Sequence, residues 1–199
     1  MNASKKLVIA LAVIAASTST FAQTVAPTAT TSGLLGHRYL ELGAGYDDIR
    51  HSPINAIAGG ASLNVPLSSS IDLGIDYAHG WLDNGDNVAD SAGFSATGYY
   101  ASTEQLKQFA NVSLGYVWND GDNHSVWGAR LGAEYTASRR FAYQASVGYD
   151  DDFRHGGNGL WDGEVKAIYA FTQKLSGTAS FTFIEGGDRV WGLSAVLKF

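Results

Sequence analysis

The 199-residue sequence has no cysteine, so no disulfide can hold the fold and a closed network of hydrogen bonds or packing must do it instead. It also lacks long apolar runs. Only Leu7 to Ala16 comes close, and that falls short of the ~20 residues a spanning helix needs. Basic residues are few, 13 against 19 acidic, which argues against nucleic acid as a partner. Charge of either sign is sparse at 16%, and proline occurs three times. Present instead are 24 glycines and 12% aromatics, a composition suited to many short strands joined by turns.

The first 22 residues read as an export signal. Lys5 and Lys6 precede the apolar run, Ser17 to Thr20 are small and polar, and a cut after Ala22 fits the pattern. Removing them leaves 177 residues, one domain, with 11 basic and 19 acidic side chains and a formal net charge of −8. Residues 23–36 (QTVAPTATTSGLLG) show no periodicity and are expected to be a flexible periplasmic leader. The domain proper spans 37–199.

From 37 onward the chain alternates with a period of two, the pattern of strands with one apolar face. Segments bounded by turn residues fall at about 37–46, 54–65, 70–81, 92–101, 106–118, 125–135, 140–149, 160–171, 175–184 and 190–199. The fourth is the weakest. Ten is even, as a single-chain bacterial barrel requires; nine remain without the fourth, and eight is the alternative barrel count. With both termini on one side, 47–53, 82–91, 119–124, 150–159 and 185–189 become external loops. The turns are then 66–69, 102–105, 136–139 and 172–174. This count sorts the aromatics: Trp81, Trp118, Trp127, Trp161 and Trp191 fall at the outer rim, and Tyr100, Tyr135, Phe141, Phe171 and Phe199 at the opposite one. Amphipathic rings favour the headgroup level of a bilayer, whereas a soluble barrel has no reason to sort them.

The alternation, the two girdles and a last strand ending on Phe199 resemble the small bacterial outer-membrane β-barrel proteins, the group that includes the OmpA-like transmembrane domain and porin-like short barrels. The resemblance covers nearly all of the chain after the export signal. It implies an all-β fold, a single antiparallel up-and-down transmembrane β-barrel, located in the bacterial outer membrane. It further implies that Phe199 belongs to the signal read by the barrel-assembly machinery. Ten strands rather than eight departs from the OmpA-like barrel, and no peptidoglycan-binding domain of the OmpA sort is expected.

Three places could carry function. The loops expected outside hold 12 acids (Asp47, Asp48, Asp83, Asp86, Asp90, Asp120, Asp122, Asp150, Asp151, Asp152, Glu185 and Asp188) against Arg50, Arg154 and Arg189, a rim that would attract cations. The plainer reading is a set of turn-forming Asp residues. Residues 83–87 and 119–124 resemble calcium loops but lack the twelve-residue spacing with a closing Glu. The lumen is expected to hold Glu41, Asp72, Asp76, Glu134, Asp162 and Glu164 beside Lys107, Arg130, Lys166 and Lys198. In so narrow a barrel these charges either pair and plug the bore or line a thin, cation-preferring pore. The third place is catalytic. Barrel enzymes include omptin proteases and lipid A deacylases, and His51, His124 and His155 lie near aspartates. The pairs His51-Ser52 and His124-Ser125, however, are adjacent on a strand and point to opposite faces. The chain is also shorter than an omptin, so no enzyme, cofactor or metal is expected. The expected function is a narrow cation-preferring pore with an acidic extracellular rim; the alternative is a structural or surface-interaction barrel with a plugged lumen. The expected partners are outer-membrane lipids, lipopolysaccharide and the assembly machinery, around a monomer.

Overall fold

Alternation becomes strand almost everywhere. A computed structural model describes residues 32–50, 55–82, 87–119, 123–154 and 159–199. They form β1 (Tyr39–Asp48), β2 (Ala56–Pro66), β3 (Ile71–Leu82), β4 (Asn87–Ala101), β5 (Leu106–Trp118), β6 (His124–Thr136), β7 (Phe141–Asp152), β8 (Leu160–Ala170), β9 (Leu175–Ile184) and β10 (Arg189–Lys198). Each strand pairs antiparallel with its chain neighbour, and β1 pairs with β10 to close an up-and-down barrel. Tyr39 opposes Lys198 and Asp48 opposes Arg189 along that seam. Closure leaves the sheet no open edge, which supplies the stability that disulfides cannot.

Both ends of the barrel domain, Tyr39 and Phe199, lie at one end of the barrel with four short turns; this is called the turn end, and its opposite the loop end. The four turns share one local device. In each, a Ser or Thr hydroxyl accepts backbone N–H bonds from residues two or three positions on. Ser68 accepts from Ser70, Thr103 from Gln105 and Leu106, Ser138 from Arg140 and Phe141, and Thr172 from Lys174 and Leu175, at 2.9–3.2 Å. These hydroxyls satisfy donors that the strand ladder no longer can, and so set where each strand ends.

Parity along each strand sorts apolar side chains outward. Phe94, Leu131 and Leu193 are 71%, 63% and 70% exposed, on the outer face of the barrel rather than in a protein core. The five tryptophans all face outward too. Trp161 stacks on Tyr149 and Trp191 on Phe181, at 5.2 and 4.4 Å between ring centres, and at the turn end Phe141, Tyr169 and Phe171 stack in series.

Two connections at the loop end are shorter than expected. β4, the weakest segment in the sequence, is the longest strand at 15 residues, and it begins at Asn87 rather than 92. Its first residues pair with β3, with a register shift at Gly80/Trp81, so hydrogen bonding to a neighbour extends a strand that side-chain alternation does not mark. β7 likewise runs to Asp152, pairing Val126 with Asp152. Asp47, Asp48, Asp90, Asp150, Asp151 and Asp152, expected in loops, therefore stand on strand ends. By parity Asp47, Asp150 and Asp152 face inward and the other three outward. Asp83, Asp86, Asp120 and Asp122 lie outside the described residues.

Candidate functional site in the barrel lumen

The inward positions bring the charges together. Glu41, Asp72, Asp76, Lys107, Arg130, Glu134, Asp162, Glu164, Lys166 and Lys198 all occupy lumen-facing positions, on six different strands. Most of them fall into two groups.

The first spans β6 to β8. The Arg130 guanidinium forks onto Asp162, at 2.7 Å to one carboxylate oxygen and 2.9 Å to the other, and donates to Ser146 at 3.2 Å. Glu164 lies 3.7 Å and Asp150 3.9 Å from the same guanidinium, and Lys166 is 3.9 Å from Glu164. Arg130 is 5% exposed, Asp162 5%, Glu164 4% and Lys166 3%. Charges so far from water persist only when paired, and the planar Arg fork suits bidentate carboxylates. Glu41, across the lumen, accepts from Ser194, which in turn bonds Thr178 at 2.7 Å. Between these side chains remain cavities of about 20 Å³, beside Glu41 and Lys166, and about 30 Å³, beside Asp76 and Asp150. Each has room for one or two waters, not a column of them.

The second group lies at the turn end, and it holds the chain's own backbone. Of the stretch 23–36, residues 32–36 are described, and Ser32 to Leu35 are buried inside the barrel mouth. Glu134 accepts the N–H groups of Leu34 at 2.9 Å and Leu35 at 3.2 Å, and the side-chain amide of Gln144 at 2.9 Å. Lys198 donates to the Gly33 carbonyl at 2.7 Å, Lys107 donates to that of Leu35, and the Ser32 hydroxyl bonds the Ser138 carbonyl at 2.8 Å. The two leucines splay to opposite walls. Leu34 packs with Tyr39, Ala142, Ile168 and Val196, and Leu35 with Phe109 and Tyr99. Two glycines permit this. A Cβ on Gly33 would stand 2.1 Å from the Glu134 carboxylate, and Gly36 has φ of 116°, the left-handed turn that swings the chain from lumen to wall. His37 follows at the mouth. Burial, with Lys198 and Lys107 nearby, lowers its imidazole from 6.5 to about 4.

Inward parity made the charged groups legible in sequence; Ser32–Leu35 and the neutral partners Gln144, Ser146 and Ser194 were not singled out. Asp150, expected in a loop, stands on β7 and faces the lumen. Alternation carried one residue further along β7 turns it inward. Phe199 donates its N–H to the Arg38 carbonyl at 3.1 Å, with its ring outward. His124 faces inward and Ser125 outward, so the two do not converge on one site; His51 and His155 lie outside the described residues. A further polar group stands on the outer wall, where Asp90 accepts from Tyr77 and meets the His79 ring at 3.0 Å. Among the described residues no cluster of three or more His, Asp or Glu is arranged to hold a metal.

No protein-family model matches the sequence, and a search of curated proteins found no match. Solved structures match in shape. An outer-membrane channel from Pseudomonas putida F1 superposes with a TM-score of 0.54 at 11% identity, over 88% of this chain and 100% of that one. The NanC porin gives a TM-score of 0.49 at 10% identity, covering 80% and 100%. The N-terminal β-barrel domain of Pseudomonas aeruginosa OprF gives 0.42 at 14%, covering 82% and 98%. At these identities the likeness is one of fold: the chain is a closed ten-stranded antiparallel barrel with the architecture of bacterial outer-membrane proteins.

Proposed function

We propose that this protein spans the bacterial outer membrane as a narrow, acid-lined pore that its own residues Ser32–Leu35 hold shut from the periplasmic side. The turn end is the periplasmic one, because bacterial barrels keep short turns there and longer loops outside. The observation that carries the reading is the grip of Glu134, Lys107 and Lys198 on four consecutive backbone residues. A wall that only needed filling would use side chains; these three grip a segment at the end of the strand scaffold, joined to it through Gly36. Cation preference follows from the lumen's excess of carboxylates, Asp47, Asp150 and Asp152 adding to the six on the wall against Lys107, Arg130, Lys166 and Lys198.

The test is single-channel current in a planar bilayer, comparing the barrel that begins at residue 23 with one that begins at 37. The first is expected to be closed for most of the record, the second to give discrete cation-selective steps. If both are silent while a heat-shifted gel mobility shows both are folded, the pore reading falls. The plugged structural or surface-interaction barrel then replaces it, with the Arg130 cluster as the plug. In cells, Phe199 serves the assembly machinery. Deleting it is expected to lower the outer-membrane level of the protein several-fold, and a normal level would refute that role.

A further inference from the structure

We propose that the lipid-facing wall of β6–β10 carries a site for one anionic phospholipid of the periplasmic leaflet, its phosphate at Arg139, Arg140 and Lys174 and an acyl chain in the groove above them. The inference rests on the membrane orientation just given. The groove has a volume of about 540 Å³, within the range of sites that enclose a small-molecule ligand. Its geometry comes from two rows of paired residues. Ala133, Ala145, Val165, Phe181 and Trp191 oppose one another in series across five strands, and Tyr135, Tyr143, Ala167 and Ala179 form the next row toward the turn end. The alanines make the floor and the aromatic rings the walls, so the surface is recessed where its neighbours, such as Leu131 and Leu193, project into lipid.

Polar chemistry begins where the groove meets the turns. One step below Tyr143 and Ala167, Phe141 opposes Tyr169, and the Arg140 guanidinium reaches the Tyr169 hydroxyl at 3.5 Å. Arg139, Arg140 and Lys174 are all exposed. They occupy the third and fourth positions of two neighbouring turns built on Ser138 and Thr172. The same positions on the other two turns are Ser69 and Ser70, and Glu104 and Gln105. Among the four turns, cations thus occur only on the two directly beneath the groove, with no carboxylate on either; Arg38, exposed just before β1, is a further cation at this end. At the loop end exposed Asp48 and Glu185 stand beside exposed Arg50 and Arg189, a mixed set, whereas the two turns carry cations alone. A phosphate is therefore matched at the periplasmic end. A second copy docked about a two-fold axis would instead set these cations against their own counterparts.

The test uses purified, delipidated barrel and native mass spectrometry with dioleoylphosphatidylglycerol, dioleoylphosphatidylethanolamine and lipid A. One phosphatidylglycerol is expected to be retained in preference to the other two. Arg140→Ala and Lys174→Ala are each expected to weaken it about five-fold, the factor given by ~1 kcal/mol per basic residue at an anionic surface. Ala167→Phe, which fills the floor, is expected to abolish retention of phosphatidylglycerol while Arg140 and Lys174 remain. Heat-shifted mobility checks that each variant is folded. Equal retention of the lipids, preference for lipid A, a mass corresponding to a dimer, or retention unmoved by the three substitutions would each overturn the site. Failure of the wild-type chain to insert into vesicles would overturn the membrane reading with it; insertion without selectivity overturns the site alone.

Discussion

The two halves of the lumen are narrowed in different ways. At the loop end and middle, side chains rooted in the wall do it, Arg130 against Asp162, Glu164 and Asp150. At the turn end the wall's charges instead hold backbone groups of Ser32–Leu35, a segment joined to the barrel only through Gly36. The first narrowing is part of the barrel's own stability. The second can be withdrawn without breaking a strand pair. The contrast separates a structural use of buried charge from one that admits a closed and an open state.

The comparison breaks first, and by the most, at Arg130. Arg130→Ala strands Asp162 and Glu164 in a buried site, and the loss in unfolding free energy is expected to be about 3–5 kcal/mol, read from urea titration in lipid. A loss near zero would mean that the cluster is wet and not structural. Glu134→Ala should act differently. It removes the acceptor for two backbone N–H groups and one amide, a local cost of about 1–3 kcal/mol. That cost should show as faster protease cleavage near residues 32–36 while the barrel keeps its mobility. Gly33→Val should match it, because its side chain would occupy the position of the Glu134 carboxylate. Protection unchanged in both variants would refute the seated segment.

The smallest effect is that of pH. With its imidazole lowered from 6.5 to about 4 by burial beside Lys198 and Lys107, His37 is neutral in the seated state. Above about 6.5 its contribution to seating is full; as pH falls from there through about 4 the contribution is lost, since the released segment binds the proton more readily. Cleavage of the segment should therefore rise over that interval. His37→Gln should flatten the His37 part of the dependence, and an unaltered profile would remove His37 from the seating.

Much of this was legible in the sequence because a strand's parity is local. Leu40 and Glu41 must face opposite ways whatever the rest of the chain does, so the apolar wall, the aromatic girdles and the lumen position of Glu41, Asp72 or Arg130 follow from alternation alone. The ends of strands are less local. Asn87–Ser91 and Asp150–Asp152 have the composition of loops, and they are strands because β3 and β6 offer them partners. Which carboxylate meets which cation was also out of reach, since Arg130 and Asp162 are joined only by the stagger of β6, β7 and β8.

The sequence by itself determined a closed barrel of strands with an apolar outside and a charged inside, because a period of two and a row of turn residues need no distant information. Tertiary structure decided what the inside does. Only when ten strands closed at one stagger did Glu134, Lys107 and Lys198, from β6, β5 and β10, converge on Ser32–Leu35. A stretch without periodicity carries no local signal of where it will sit. Its place is set by three charges that the chain order keeps far apart.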